Sequence, residues 1–390
     1  MKVLILTASY VPVLGGLQTA VHSLARHLRE VGHDVRVVAN RYPRALPNAD
    51  TIDGVPVRRW LFLRPSWAQV RRRRPDLLLA SLYYYPSVLR RLSGMVQALR
   101  PDVLNVHFPD AQIPFVLALR RRFSFRLVVS LHGDDVKRFR SGDPAWLGAL
   151  LREADAVTAC SPHLLDEAAR LEPAVAGKGT AIANGIDPVR FKDKTAHHHP
   201  SPYILALGRL THKKGFDMLL TALAQTWPSC PSVDLILAGA GEEQAALKAQ
   251  ARQLGLAKRV HFHGCASPAE VVRLLNGCQF LVVPSRAEPF GIVALEGLAA
   301  GKPVLATDVG GMGQFLGELR CVDGLFGTHA AHPAVSLVAP TEEGLAEGLR
   351  KRLHAASAGE ALADTTSRFV LDEYSWARVA ERYQQVFAGN

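Results

Sequence analysis

Short apolar runs of strand length recur along the first half of the chain, as KVLILTA, HDVRVVAN, PDVLNVHF, FRLVVSLHG, ADAVTACS and GTAIANGI. Between them lie stretches with helical spacing, such as LQTAVHSLARHLREVG. This alternation predicts parallel strands joined by crossover helices. The pattern breaks at DKTAHHHPSP and restarts with YILALG, VDLILAG, RVHFHG, CQFLVVPS and KPVLATD. The expected fold class is therefore α/β, with two doubly wound, Rossmann-like sheets. The polar, Pro-bounded residues 192–202 mark the boundary, giving a first domain over 1–195 and a second from 200 onward. The three histidines His197, His198 and His199 read as part of a solvated linker, because adjacent residues do not converge easily on one ion.

Composition narrows the class. With 390 residues, 48% hydrophobic and 21% charged, each half is large enough to bury its own core. Residues 3–25 carry no charged side chain, yet Pro12, Gly15, Gly16 and Gln18 interrupt the stretch, so it reads as strand, loop and helix rather than a membrane span or leader. The five cysteines are scattered and lack a Cys-x-x-Cys pair, which points to neither a disulfide framework nor a zinc site and fits a reducing cytoplasm. Residues 1–199 hold 29 Lys and Arg against 17 Asp and Glu, a surplus of +12, whereas the remainder stands at −1. A one-sided surplus suits an anionic partner for the first half, or else a solvated Arg-rich surface. Nucleic acid is not the expected partner, because no motif that reads DNA or RNA accompanies the basic residues.

In open α/β sheets ligands bind beyond the carboxyl ends of the strands, so the turns that follow strands are where chemistry is expected. Four stand out. Gly15 and Gly16 lie between the first strand and first helix, where paired glycines let backbone N–H groups approach a phosphate or sugar. His132 ends a strand and is followed by Gly133, Asp134 and Asp135, which suits a ligand hydrogen bond; the adjacent aspartates point to different sides and are not expected to bind metal. Arg209 and Lys214 bracket a turn between Gly208 and Gly215, where two cations can clamp a diphosphate without a metal. In RAEPFGIVALEGLAAG, Glu288 precedes Pro289 and the turn Phe290, Gly291, Ile292, whose N–H groups can face phosphates, and Glu296 lies within the following helix. Glu296 is placed to accept from two vicinal ribose hydroxyls, and Glu288 from a sugar hydroxyl.

Taken in order, Gly15-Gly16, HGDD at His132, NGID at Asn184, GRLTHKKG and EPFGIVALEGLAAGKPV resemble glycosyltransferase family four, the retaining, nucleotide-sugar-dependent enzymes of the GT-B fold. The resemblance covers almost the whole chain. It implies two Rossmann-like domains facing across a cleft, the second over 200–370, and a terminal helix within 371–390 that returns to the first domain. It also implies that Arg209, Lys214 and Glu296 hold the nucleotide diphosphate, that Glu288 touches the donor sugar, and that His132 sits by the anomeric carbon. The catalytic set is then His132, Glu288, Arg209 and Lys214. The donor set is Gly15, Gly16, Arg209, Lys214, Glu288, Pro289, Phe290, Gly291, Ile292 and Glu296. No metal and no cofactor are expected, the nucleotide-diphosphate sugar being a substrate. Two departures concern the donor contacts: Gln314 stands where the family often has Glu after the Gly310-Gly311 pair, and residues 318–339 are longer than usual.

Without an evident enzymic nucleophile, a retaining reaction fits attack by the acceptor hydroxyl on the face from which the diphosphate leaves, with the enzyme acting electrostatically and by position. A nucleotide-sugar epimerase and a non-catalytic nucleotide-sugar sensor remain the alternatives. The acceptor is open, with lipid-linked or anionic molecules the favoured classes. Residues 58–74 interleave Trp60, Phe62 and Trp67 with seven arginines, a composition suited to docking on the anionic inner face of a membrane. The alternative is that the aromatics are core and the arginines merely solvated.

Overall fold

The computed structural model describes residues 1–13, 15–63, 75–141, 144–229, 233–320, 334–354 and 360–389. The chain divides into two units, Met1–Asn184 with Trp376–Asn390, and Gly185–Ser375. The boundary thus falls after Asn184 rather than at 192–202. Residues expected to be a solvated linker are instead built into the second unit: His197 N–H donates to the Arg273 carbonyl at 2.8 Å, and the Asn276 side-chain amide donates to the carbonyls of Asp193 and Thr195.

The first unit is an eight-stranded sheet in the order β3-β4-β2-β1-β5-β6-β7-β8. Its strands are β1 (Lys2–Thr7), β2 (Asp34–Asn40), β3 (Ala49–Ile52), β4 (Val55–Trp60), β5 (Val103–His107), β6 (Arg126–Leu131), β7 (Ala156–Ala159) and β8 (Gly179–Ala181). All neighbours are parallel except the β3–β4 hairpin. Val3, Leu4, Ile5 and Leu6 are fully buried, which is why β1 reads as a continuous apolar run: both faces of a parallel sheet are covered. The helix Gly16–Glu30 covers one face with Ala20, Val21, Leu24, Ala25 and Leu28.

The second unit is a six-stranded, all-parallel sheet in the order β11-β10-β9-β12-β13-β14. It comprises β9 (Tyr203–Leu207), β10 (Asp234–Ala238), β11 (Val260–Gly264), β12 (Leu281–Val283), β13 (Val304–Thr307) and β14 (Val335–Val338). Strand order reverses at β1/β5 in one sheet and at β9/β12 in the other, and a crevice opens beyond the carboxyl ends at such a switch point.

The helix Trp376–Ala388 belongs to the first unit although Ser375 closes the second. Its buried residues Trp376, Val379, Ala380, Tyr383, Val386 and Phe387 recur at helical spacing and join the core built by the helix Gly16–Glu30. Arg126 Nε donates to the Val386 carbonyl at 2.9 Å, fixing the helix end against β6. Among the described residues no helix is long and apolar enough to cross a membrane.

The segment 58–74 needs correction. Arg59 is 1% exposed, donates to the Val11 carbonyl at 2.9 Å and pairs with Asp50 at 3.3 Å, so it ties β3 and β4 to the loop after β1. Phe62 is also buried, packed edge-on against Phe115. Arg59 faces inward from β4 as it pairs with β2, and Phe62, just past the strand, is held there by its N–H donating to Asn40 Oδ1 at 3.2 Å. Trp60 is half-buried and Arg58 exposed, while Arg64, Trp67 and the arginines at 71–74 lie outside the described residues.

Trp376→Ala removes the largest side chain of the returning helix from the first core. A loss of about 3–5 kcal/mol is expected in the unfolding transition of that unit, as for a buried Trp elsewhere. Denaturant unfolding that left this transition unchanged would show that the helix contributes little to the core.

Candidate functional site

In the second unit the site is built from the turns after β9 and β12. Gly215 follows Lys214 at φ +67°, and a Cβ there would meet the Pro284 carbonyl oxygen at 2.0 Å, so only glycine lets the two turns approach this closely. A two-pronged ion pair then locks them: Arg286 Nη1 and Nη2 each lie 2.6 Å from an oxygen of Asp217, while Arg286 N–H donates to the Lys213 carbonyl at 2.9 Å. Burial works against charge on Asp217, but the guanidinium fork prevails and holds its carboxyl below the usual range. The sequence reading missed both residues. An Arg two positions before Glu288 and an Asp three after Lys214 were the available signal.

That fork brings two of the expected site residues together. Lys214 Nζ forms an ion pair with Glu288, both side chains being mostly shielded from water. Arg209 sits on the same turn as Lys214, directly beyond β9. Gly291, at φ +87° and with Met312 where a Cβ would go, starts the helix Ile292–Ala299 without any side-chain cap on its first turn. Phe290 is buried against Phe315 at 4.7 Å between ring centres, which fixes the Pro289–Ile292 turn.

Glu296 has a partner that was not foreseen. Arg190 Nη1 lies 3.1 Å from Glu296 Oε1, and Nη2 donates to the Pro268 carbonyl at 3.3 Å. Burial raises the pKa of Glu296 and Arg190 opposes the rise, so the guanidinium is what keeps a carboxylate tenable there. Arg190 lies in the short turn Pro188–Phe191 just after the NGID motif, which gives that motif a structural reason. Gln314 is exposed on the helix Gly310–Arg320, and most of 318–339 lies outside the described residues.

In the first unit His132 follows β6 and meets His107, the last residue of β5, with His132 Nε2 3.0 Å from His107 Nδ1. A chain of buried polar groups continues from there. His107 Nε2 reaches Asn105 Oδ1, Asn105 Nδ2 donates to Ser130 Oγ at 2.9 Å, and Thr158 Oγ1 donates to the same Oγ at 2.8 Å. Tyr383 of the returning helix closes the chain by hydrogen bonds with Thr158 and Ser130. Because Asn105 Nδ2 donates to the Val128 carbonyl and Ser130 Oγ, it is Oδ1 that faces His107 and accepts, so His107 donates from Nε2 and offers Nδ1 as a lone pair. His132 therefore donates from Nε2 and keeps its own lone pair on Nδ1.

Burial pushes His132 down to about 4 and His107 well below the ordinary imidazole value, so both rings are neutral near pH 7. Of the two aspartates after His132, Asp135 binds the backbone, accepting from the N–H groups of His132, Gly133 and Val136 at 2.7–2.9 Å. Burial raises Asp135 to about 6 against those bonds. A small pocket of this unit is lined by His107, His132, Ala183, Asn184, Trp376 and Tyr383 among others. Gly15 and Gly16 lie beyond β1, the strand that pairs with β5, and the helix they start has no side-chain cap.

Two family models match this chain in succession: Glycosyltransferase Family 4 over residues 14–190 and Glycosyl transferases group 1 over 189–332. Among curated proteins, glycogen synthase of Mycobacterium tuberculosis is 29% identical over 99% of this chain and 94% of its own length. A GDP-mannose:cellobiosyl-diphosphopolyprenol alpha-mannosyltransferase of Komagataeibacter xylinus is 28% identical over 99% and 93%. Among solved structures, sucrose-phosphate synthase of Thermosynechococcus elongatus superposes with a TM-score of 0.76 at 20% identity over 100% of both chains. Anabaena HepE in complex with UDP-glucose gives 0.72 at 19% identity, again over 100% of both. The fold, the two family models and the glycosyltransferases among the relatives define a glycosyltransferase of the GT-B class. The chain belongs to glycosyltransferase family four.

The neutral histidine pair makes a prediction with a sign. A histidine whose folded pKa is depressed contributes stability that is lost as pH falls through about 6.5 towards the folded value, at roughly 1.4 kcal/mol per unit. Asp135, raised to about 6, acts in the opposite direction, since its folded state holds a proton that the unfolded chain releases above its ordinary pKa. The cleaner readout is therefore NMR of the rings: His132 and His107 are expected to show no titration between pH 8 and about 5.5. A midpoint near 6.5 for His132 would remove the buried, neutral assignment.

Proposed function

We propose that this protein transfers a hexosyl group from a nucleotide-diphosphate sugar to an acceptor hydroxyl with retention of anomeric configuration and without a catalytic metal. The observation that carries the reading is the set of charged turns beyond β9 and β12, where the Arg286–Asp217 fork presents Lys214 opposite Glu288, with Arg209 beside them. A donor diphosphate arriving there offers Lys214 a second anionic partner, releasing Glu288 to accept from a sugar hydroxyl, while the N–H groups of Phe290, Gly291 and Ile292 and those after Gly15 and Gly16 meet phosphate or sugar oxygens. Glu296, held by Arg190, accepts from the ribose hydroxyls. His132, neutral and with its lone pair set on Nδ1 by the network, is an acceptor or orienting group beside the anomeric carbon and not a proton source at neutral pH. The acceptor hydroxyl then attacks on the face the diphosphate leaves, and a diphosphate oxygen takes its proton. HepE was solved with UDP and UDP-glucose, which supports a nucleotide sugar as donor.

Arg209→Ala or Lys214→Ala should each lose about 3 kcal/mol of transition-state stabilisation, roughly 100-fold in kcat/KM, with incubation against UDP-, GDP- and ADP-sugars identifying the donor first. Product anomers read by NMR give the stereochemistry, and turnover should persist in excess EDTA. Near-wild-type kinetics in both variants, an inverted product, or activity restored only by a divalent ion would each overturn the corresponding part.

The same reading extends to the acceptor and to location, in the cytoplasm at the inner membrane face. On the helix Pro75–Leu99, Leu79 and Tyr83 are 68% and 79% exposed, and Leu82 and Tyr84 are also exposed, an apolar and aromatic surface next to the arginine-rich segment. Such a surface suits insertion at a headgroup boundary and a lipid-linked acceptor, a class to which the diphosphopolyprenol named in the Komagataeibacter relative belongs. Leu79→Ser with Tyr83→Ser should reduce pelleting with anionic vesicles several-fold and leave transfer to a soluble acceptor intact. Absence of pelleting by the unaltered protein at low salt would end the membrane reading and favour a soluble acidic acceptor.

A further inference from the structure

The amino-terminal end of the second sheet carries a side-chain cluster that the transferase reading does not use. Asp234 opens β10, His261 is the second residue of the edge strand β11, and His199 lies in the lead-in to β9. His199 Nε2 and His261 Nε2 each lie 3.0 Å from Asp234 Oδ2. The three donor atoms all fall within 4.8 Å of one another.

This geometry is close to that of a metal site. A tetrahedral zinc ion bound at 2.0–2.1 Å separates its ligand atoms by about 3.3 Å, so the two N–O separations need only a small outward movement to admit one. The side chains of His199 and Asp234 are 13% exposed and that of His261 is 42% exposed, leaving an entry path and a position for water on the edge-strand side. Arg259 holds the other carboxylate oxygen at 3.8 Å and is itself fixed by stacking over Trp227 and by donating to the Val233 carbonyl. Its charge lies on the Oδ1 side of the carboxylate, which leaves Oδ2 to the two histidines. Alternate residues of an extended segment share a face, and both segments are His-x-His: His197 lies by His263 at 6.0 Å as His199 lies by His261 at 4.7 Å. The histidine tripeptide, which cannot close on an ion by itself, thus obtains its other two ligands from β10 and β11.

We infer that His199, Asp234 and His261 form a binding site for one divalent transition ion, zinc being the probe, that pins the lead-in of the second unit to the edge of its sheet. Each imidazole would present Nε2 as a lone pair and carry its proton on Nδ1, so binding to neutral rings requires a change of tautomer and no net proton release. The site lies at the opposite end of the strands from Lys214 and Glu288, so the ion is structural and turnover does not depend on it.

The test uses the full-length protein after chelator treatment, titrated with Zn2+ alone by calorimetry and followed by thermal unfolding. One equivalent is expected to bind and to raise the melting temperature. His261→Gln and His199→Gln should each weaken binding at least tenfold, the low end of what losing even an outer partner does, while His354→Gln leaves it unchanged. Co2+ substitution is the second measurement, with the intense visible bands of a low-symmetry tetrahedral site expected in the unaltered protein and lost in both variants. No binding, or affinity in the two histidine variants equal to that of the unaltered protein, or a Co2+ spectrum like that of the aqueous ion, would overturn the site. Retained donor-sugar binding in the variants shows that they fold, and loss of transfer activity alone would bear on the transferase reading and not on the ion.

Discussion

The second half of the site depends on the two-pronged pair between Arg286 and Asp217, because it joins turns that come from separate strands and leaves each with charge aimed at the same place. A bidentate pair fixes distance and plane together, which a lysine in place of Arg286 would not do. Once the turns are joined, Lys214 cannot stay unpaired in a mostly shielded position, and Glu288 is its partner in the absence of substrate. On the proposed function a diphosphate would not meet a bare cation but would exchange with the carboxylate already paired to Lys214, leaving Glu288 to turn to a sugar hydroxyl. On that reading a complete donor would be favoured over free nucleotide diphosphate, since only the donor supplies that hydroxyl.

The first unit solves a different problem. Polar groups are threaded through a parallel sheet, from His132 through His107, Asn105 and Ser130 to Thr158 and Tyr383, and each is satisfied by its neighbour. Such a chain is sensitive to any member left unpaired, and in return it sets the tautomer of the ring at its end. Its last member comes from the helix Trp376–Ala388, so the C-terminal segment contributes both apolar burial and the final hydrogen bonds of the polar thread. That is a physical reason for the chain to return to the unit it began in.

What was legible in the sequence follows from which residues act locally. Eleven apolar runs named strands that the structure contains, because buried parallel strands write themselves as continuous Val, Leu and Ile. The β3–β4 hairpin escaped that pattern, being short and half-polar, although Asp53-Gly54 at φ 46° and 76° is a turn signal of its own. The glycine turns and the cations after β9 were legible because their meaning lies in their position after a strand. The partners of those residues were not: Arg286 and Asp217, Arg190 and Glu296, and His107 and His132 are brought together from distances of 25 to 106 residues. Arg59 and Phe62 misled for the same reason, since composition alone does not distinguish a buried, ion-paired guanidinium from one at a membrane surface.

Glu296 shows how such long-range pairing can shape specificity. A carboxylate in the middle of an apolar helix is costly to hold charged, and Arg190 offsets that cost from one side only, bonding Oε1. Arg190 is itself anchored to the Pro268 carbonyl, at the start of the helix Pro268–Gly277, so it cannot follow Glu296 if the latter moves. The carboxylate is thus pinned in one orientation, and on the proposed function the donor ribose would have to bring its hydroxyls to that orientation. Two vicinal hydroxyls fit a fixed carboxylate better than one, because both bonds form without further ordering of the side chain. On this argument the Arg190 anchor, more than the charge of Glu296, would separate a ribose from a 2′-deoxyribose.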